Sequence, residues 1–91
     1  MRESNVEDAL VREARKRSVW ALKAERLHVG FPDRILLAPS GRFALVELKV
    51  PGENLRPAQQ IVRGWLKKLG FTVYVVDEVE KVEGFFEKWL S

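Results

Sequence analysis

Two apolar runs of the chain can form a hairpin, and charged residues lie at the ends of these runs that are away from the turn. Asp33 stands just before the first run, and Glu47 and Lys49 end the second. We assume a turn centred on Ser40, since a shift of one residue would break the pairing described next. In an antiparallel hairpin with that turn, Asp33 lies opposite Glu47, with Cβ atoms about 4.5–5.5 Å apart. Two carboxylates at that separation repel each other unless a cation lies beside them. The spacing therefore predicts a cation site at the open end of a hairpin.

The side chains available favour a hard metal ion and phosphate chemistry. The chain has no cysteine and its single histidine is His28, so carboxylate oxygens are the ligands on offer, and these suit Mg²⁺ or Mn²⁺. A bound metal would polarise a phosphoryl oxygen, and Lys49 would orient water and stabilise the developing negative charge. The competing interpretation is structural, with Lys49 forming a salt bridge to Asp33 or Glu47. His28 itself is interpreted as a surface residue.

Composition limits the class of protein. Ninety-one residues with 46% hydrophobic and 32% charged residues predict one globular domain with its own core. No apolar run reaches the roughly 18 residues of a membrane span, and the charged start lacks the apolar core of a signal peptide. We therefore expect no membrane partner. The absence of cysteine is consistent with the cytoplasmic location that we expect. The net charge of +3 favours an anionic partner only mildly.

Hydrophobic periodicity predicts a complete set of elements. Apolar residues recur at helical spacing in the first helix, in which Ser4 would act as N-cap with Glu7 as its reciprocal partner. Pro57 and Gly70 would bound the second helix. The predicted elements are a helix over residues 4–17, a strand over 19–27, the hairpin, a helix over 57–69, a strand over 71–76 and a C-terminal helix over 79–90.

This order, αβββαβα, predicts an α/β sandwich: a short mixed sheet flanked by helices. The second apolar run of the hairpin is apolar on both faces, which is typical of a central strand. The helix that follows it would connect it to a parallel fourth strand by a right-handed crossover. The loop between that strand and the helix contains Pro51, which would end the strand by removing a hydrogen-bond donor.

Two helices carry clustered cations. The predicted phosphate-contacting residues are Arg12, Arg15 and Lys16 on the first helix, Arg34 in the hairpin, and Arg56, Gln60, Arg63 and Lys67 on the second. Such contacts provide salt-dependent affinity with little sequence information. A solvated surface is the ordinary alternative. Gln59 falls on the border of the second cluster.

The aromatic residues leave two interpretations open. A chain of this length has little interior volume for Trp20, Trp65, Phe85, Phe86 and Trp89. They fill the core of a monomer, or some of them remain exposed and form a dimer interface.

Several of these motifs together resemble the VRR-NUC domain, a family within the PD-(D/E)xK nuclease superfamily. The resemblance is carried by Gly30-x-Pro32-Asp33-Arg34, by Val46-Glu47-Leu48-Lys49-x-Pro51-Gly52, and by Leu55-Arg56-Pro57-x-Gln59. The region around Ser4, Glu7 and Leu10 resembles the N-terminal helix of the family. Residues 69–76 resemble its last core strand.

The resemblance implies a restriction-endonuclease-like fold and a Mg²⁺-dependent phosphodiesterase, with Mn²⁺ as a substitute. It implies Glu7, Asp33 and Glu47 as metal ligands, and Asp33, Glu47, Lys49 and Gln59 as catalytic residues. Gln60 stays open as the alternative glutamine. Stand-alone members of the family, often from phages, resemble Holliday-junction resolvases, which act as homodimers in bacterial or phage-infected cells.

We therefore expect a metal-dependent DNA endonuclease, selective for branched DNA and acting as a homodimer. Three alternatives remain at this point. A non-catalytic nucleic-acid-binding module would use the same cations without metal dependence. A less selective DNA nickase would cut duplex and branched DNA alike. A dimeric interaction domain would neither bind nor cut nucleic acid.

Overall fold

Three helices and four strands form in the predicted order in the part of the chain that the structure describes. This structure is a computed structural model in which residues 3–50 and 52–91 are described, without the side chains of residues 3 and 4. The elements are α1 (Glu3–Lys16), β1 (Trp20–Lys23), β2 (Arg34–Ala38), β3 (Arg42–Leu48), α2 (Pro57–Lys68), β4 (Val73–Val76) and α3 (Val82–Leu90). The αβββαβα prediction is confirmed.

The four strands form one mixed sheet in the order β1-β2-β3-β4. β1, β2 and β3 pair antiparallel, and β4 pairs parallel to β3 as predicted. Arg34 lies opposite Val46, so the hairpin register expected from a turn centred on Ser40 is confirmed. Ser40 has a φ of 68°, a left-handed conformation that reverses the chain within three residues.

β3 lies inside the sheet, and its side chains from Ala44 to Leu48 are all buried. Val46 packs in one core with Leu10 of α1 and Phe86 of α3. Successive side chains of a strand point to opposite faces, so Glu47 points to the other face, where Gln59 of α2 contacts it. Helices therefore cover both faces, which explains why β3 carries apolar residues on both of its faces.

The first strand is shorter than predicted. It ends at Lys23 instead of extending to Leu27, whose side chain is 67% exposed. Lys23 is paired with Arg34, the first residue of β2, so residues 25–30 have no neighbouring strand with which to pair. Apolar content predicted a strand here, but an edge strand persists only as long as its partner.

The aromatic residues divide between core and surface. Phe86 is fully buried, and Phe85 and Trp89 pack against the same core. Trp20 and Trp65, in contrast, are 65% and 54% exposed. The core interpretation therefore holds for Phe85, Phe86 and Trp89. Trp20 and Trp65 are exposed, and a dimer interface formed by them stays a prediction.

Two sequence predictions concern residues outside the described part. These are the capping role of the Ser4 side chain and the strand-ending role of Pro51. No helix within residues 3–50 and 52–91 is both long enough and apolar enough to cross a bilayer.

Candidate functional site

Asp33 and Glu47 are both buried at the end of the β2–β3 hairpin that lies away from its turn. Their exposed fractions are 6% and 2%. The Asp33 carboxylate accepts a hydrogen bond of 2.7 Å from the backbone N–H of Leu48. In this register Leu48 stands opposite Pro32, which precedes β2, so the Asp33 side chain replaces a strand as the hydrogen-bond acceptor. Asp33 is thereby held against the end of β3.

Gln59 connects Glu47 to the beginning of α2. Its Nε2 donates to Glu47 Oε1 at 3.0 Å, and its Oε1 accepts from the backbone N–H of Arg56 at 2.8 Å. Both ends of the amide are therefore used, and the side chain is fixed in one orientation. Gln60, the alternative considered from sequence, instead donates to the Leu55 carbonyl. The geometry associates Gln59 with the buried acidic residues.

Lys49 follows β3 directly and is half-buried. Its Nζ donates to the Glu53 carbonyl in the loop that follows. Lys49 and Gln59 line one cleft of about 300 Å³, and Asp33 and Gln59 line a second of about 330 Å³. Gln59 therefore stands between two openings that lead from the surface to the predicted catalytic residues.

Asp77 is a neighbour of Lys49 that sequence reasoning did not single out. Its pKa is lowered mainly by a hydrogen bond from Lys81, with a small contribution from the charge of Lys49. The topology contained a signal for this proximity. Because β3 and β4 are parallel, the residues that follow them emerge at the same edge of the sheet.

Glu7 lies on the α1 side of the sheet and forms a salt bridge with Arg34. The Arg34 Nε atom is 2.9 Å from Glu7 Oε2, and a second guanidinium nitrogen donates to the Ala21 carbonyl at 3.0 Å. Arg34 shares its face with Val46, opposite to that of Glu47. Within residues 3–50 and 52–91, no three acidic or histidine side chains group closely enough to hold a metal ion. Metal ligation by Glu7 stays a prediction.

Arg34 also differs from its sequence interpretation as a DNA contact. It is only 8% exposed, and its guanidinium is occupied by Glu7 and a backbone carbonyl. Strand alternation explains this burial. Because successive side chains point to opposite faces, Arg34 points away from the face of Asp33 and is covered by α1.

The remaining predicted contacts are distributed over both helix layers. Arg63 and Lys67 are exposed on α2, and Arg56 is exposed just before it; α2 is the helix that covers the face of Asp33 and Glu47. Arg12, Arg15 and Lys16 are exposed on α1 across the sheet, where Lys16 pairs with Glu13 at 3.0 Å. The second cluster is therefore the one that shares a face with the buried carboxylates.

His28 is exposed, as interpreted from sequence, and its ring contacts Trp65 edge-on at a centroid distance of 6.1 Å. Next to it, Gly30 has a φ of +88° and lies against the first turn of α2 at Ala58. In the sequence, Gly30 and Pro32 indicate a connection between the first strand and the hairpin, but nothing there predicted the contact with α2.

The donor set of the hairpin end is compatible with a divalent cation. Mg²⁺ is usually bound by one or two carboxylates, with water and substrate phosphate completing the shell. Asp33 and Glu47 supply two carboxylates, and both are buried, a position that is costly for charged groups unless a cation or hydrogen bonds compensate them. The backbone N–H of Leu48 donates a hydrogen bond to Asp33, and the side chain of Gln59 donates one to Glu47.

Known proteins resemble this chain in sequence and in fold. A family model described as the VRR-NUC domain matches residues 2–79. The protein named "Putative nuclease p44" from Acyrthosiphon pisum secondary endosymbiont phage 1 is 38% identical over 78 residues, which cover 85% of this chain and 84% of that protein. A solved structure described as "VRR_NUC domain" superposes with a TM-score of 0.84 at 21% identity, covering 96% of each chain. The chain therefore belongs to the VRR-NUC domain family.

Proposed function

We propose that the protein is a metal-dependent DNA endonuclease that hydrolyses phosphodiester bonds. The observation that carries this proposal is the pair of buried carboxylates, Asp33 and Glu47, at the end of paired strands and beside Lys49. Membership of the VRR-NUC family supports it. The name of the phage relative describes that protein as a nuclease, which agrees with this assignment.

Each residue has a distinct task in this proposal. Asp33 and Glu47 would hold the divalent ion, Mg²⁺ or Mn²⁺, which would supply polarisation of the scissile phosphate. Gln59 keeps the Glu47 carboxylate oriented through its 3.0 Å hydrogen bond. Lys49 orients the attacking water and stabilises negative charge that develops on the phosphate.

DNA approaches the α2 side of the sheet in this proposal. Arg56, Arg63 and Lys67 are exposed there and contact backbone phosphates, which positions the strand without reading its sequence. Arg34 is omitted from this set because its guanidinium is buried against Glu7. The α1 cations would contact a second, more distant segment of DNA.

We further propose a homodimer that cuts branched DNA. Ile61 and Trp65 on α2 and Leu69 at its C-terminal end recur every four residues and are 53%, 54% and 73% exposed. An exposed apolar stripe of this kind is typical of an interaction surface. Two copies related by a two-fold axis would present two sites to two strands, as a four-way junction requires. The source of the phage relative agrees with action in the cytoplasm of a bacterial or phage-infected cell.

A cleavage assay tests the activity. We expect Mg²⁺-dependent cutting of a four-way junction, slower cutting of a linear duplex of equal length, and none in EDTA. Glu47→Gln should abolish cutting, whereas Glu87→Gln, on an exposed position of α3, should not alter it. Equal rates on both DNAs would indicate a less selective nickase. Binding that is unaffected by Mg²⁺, without cutting, would indicate a non-catalytic module.

Thermal unfolding tests metal binding without relying on activity. A ligand that binds only the folded state raises the melting temperature. We expect Mg²⁺ to raise the melting temperature of the wild type and of Glu87→Gln, but not that of Asp33→Asn or Glu47→Gln. An equal rise in all four proteins would exclude Asp33 and Glu47 as the metal site.

A further inference from the structure

A groove of about 450 Å³ lies between α2 and the beginning of β4. Gln60, Arg63, Gly64 and Lys67 form one wall, and residues 71–73 form the other. We propose that this groove holds one unstacked nucleotide of the DNA strand next to the bond that is cut. The inference rests on the proposed function, and it adds a specific base-binding site to it.

The size and charge of the groove fit a nucleotide. Its volume falls in the range of about 300–1,000 Å³ that is usual for small-ligand sites. Arg63 and Lys67 contribute two exposed cations, and no acidic residue is among the residues that line it in the described part of the chain. The walls therefore favour a ligand that carries a phosphate.

The apolar lining of the groove suits a flat ring. Leu55, Phe71 and Val73 provide apolar surface, and the Phe71 side chain is 41% exposed. An edge-on contact with Phe43, with ring centroids 6.0 Å apart, holds the Phe71 ring in place. Bases stack on such exposed aromatic rings without regard to sequence, and a fixed ring loses little entropy on binding.

The groove adjoins the catalytic cleft. Leu55 lines both the groove and the cleft of about 300 Å³ that contains Lys49 and Gln59. A strand whose phosphate lies beside Lys49 could therefore place an adjacent base in the groove. An unstacked base is cheapest at a mismatch, a branch point or a single-stranded end. The groove thus links base unstacking to selectivity for branched DNA.

An apolar segment of another protein is the other occupant that the groove could accept. The two cations at its rim and its connection to the catalytic cleft favour a nucleotide over such a segment. If the groove bound a protein segment instead, the wild type would not unstack a DNA base. The fluorescence of 2-aminopurine in bound DNA therefore distinguishes the two occupants.

Gly64 offers a way to fill the groove without disturbing the fold. A Cβ atom at Gly64 would have no heavy atom within 4 Å, so a side chain can begin there without a clash. Because Gly64 lines the groove, a leucine at this position is expected to occupy part of it. Gly84 on α3 is a matched control, because it is also a helical glycine with open space around its Cβ position. Removing a helical glycine stabilises both variants similarly, so they should differ only through the groove.

The experiment uses four-way junctions and linear duplexes that carry 2-aminopurine near the branch point, in EDTA so that no cutting occurs. We expect wild type and Gly84→Leu to raise the 2-aminopurine fluorescence of the junction on binding, because the base is unstacked. Gly64→Leu should abolish this rise and weaken junction binding by about tenfold, equivalent to about 1.4 kcal/mol. A rise that persists in Gly64→Leu, or that is absent in the wild type, would overturn the proposal.

Phe71→Leu provides a second variant that retains apolar volume but removes the aromatic ring. It should reduce the fluorescence response while Phe85→Leu, in the core between α3 and the sheet, should not. These readouts do not depend on cutting. Cutting without a fluorescence rise would leave the nuclease assignment intact and reject the base site. A fluorescence rise without cutting in Mg²⁺ would support the base site and reject the nuclease assignment.

Discussion

Gly30 lies directly against the backbone of Ala58, at the beginning of α2. A Cβ atom at Gly30 would come within 2.3 Å of the Ala58 carbonyl oxygen, and the φ of Gly30 is +88°. The loop that leads to Asp33 therefore packs against the helical turn that carries Gln59. The contact between Gly30 and Ala58 thus fixes the segments that carry Asp33 and Gln59 relative to each other.

Gly30→Ala should destabilise the protein by about 2–5 kcal/mol, the sum of left-handed strain and a backbone clash. Gly70→Ala is the matched control, since Gly70 has a φ of +95° but open space around its Cβ position. It should cost about 1–2 kcal/mol. Urea unfolding measures both changes, and equal losses would show that the contact with Ala58 has no energetic importance.

Gln59 should be required for activity through its hydrogen bond to Glu47. Gln59→Leu removes that bond, and we expect a fall in kcat of about tenfold, the equivalent of 1.36 kcal/mol. Gln59→Glu should reduce activity further, because it places a second carboxylate beside Glu47. Single-turnover cleavage rates check both variants, with circular dichroism as a folding control. Full activity in Gln59→Leu would remove Gln59 from the catalytic set.

Arg34 should stabilise the fold without contributing to DNA affinity. Arg34→Met breaks its partly buried salt bridge with Glu7, and we expect a loss of about 2–4 kcal/mol in unfolding free energy. The double variant Arg34→Met/Glu7→Gln should recover part of that loss, because no charge is left without its partner.

The salt dependence of DNA binding distinguishes Arg34 from a phosphate contact. Removing one contact reduces the slope of log K against log salt by about 1. We expect this reduction for Arg63→Gln, whose side chain is exposed on α2, and no change for Arg34→Met. A reduced slope in Arg34→Met would restore its interpretation as a DNA contact.

Acid should weaken the contact between Glu13 and Arg17. Hydrogen bonds from Arg17, and next from Lys16, hold the pKa of Glu13 below its ordinary value of 4.5. Stabilisation by a lowered acidic pKa is complete above the unfolded-state value and is lost as pH falls through the folded-state value. The melting temperature of wild type should therefore exceed that of Glu13→Gln at pH 7, and the difference should shrink below about pH 4.5. A difference that is constant down to pH 3 would contradict this.

Trp65 should be needed for dimer formation. Sedimentation should show the wild type at twice the chain mass of 10.5 kDa. Trp65→Glu, in the exposed stripe of α2, should shift it to the monomer, because a charge at the interface would lose its hydration. Asn5→Glu, exposed on α1 across the sheet, introduces the same charge and should leave the dimer intact. A monomeric wild type would exclude the dimer.

Local rules in the sequence determined the hairpin and its register, in which Arg34 lies opposite Val46 and both Asp33 and Glu47 lie at the end away from the turn. A turn at Ser40 sets which residues oppose each other, and strand alternation sets which face each side chain takes. Both are properties of neighbouring residues, so they could be predicted without knowledge of the rest of the fold. The order of helices and strands was predictable from periodicity for the same reason.

Only the tertiary structure decided which long-range partners these residues meet. The packing of α2 over the sheet selects Gln59 rather than Gln60 as the partner of Glu47. The packing of α1 buries Arg34 against Glu7, and the start of β2 determines where β1 must end. Each of these contacts depends on how separate elements are placed in space, which depends on the whole core and not on the local pattern of residues.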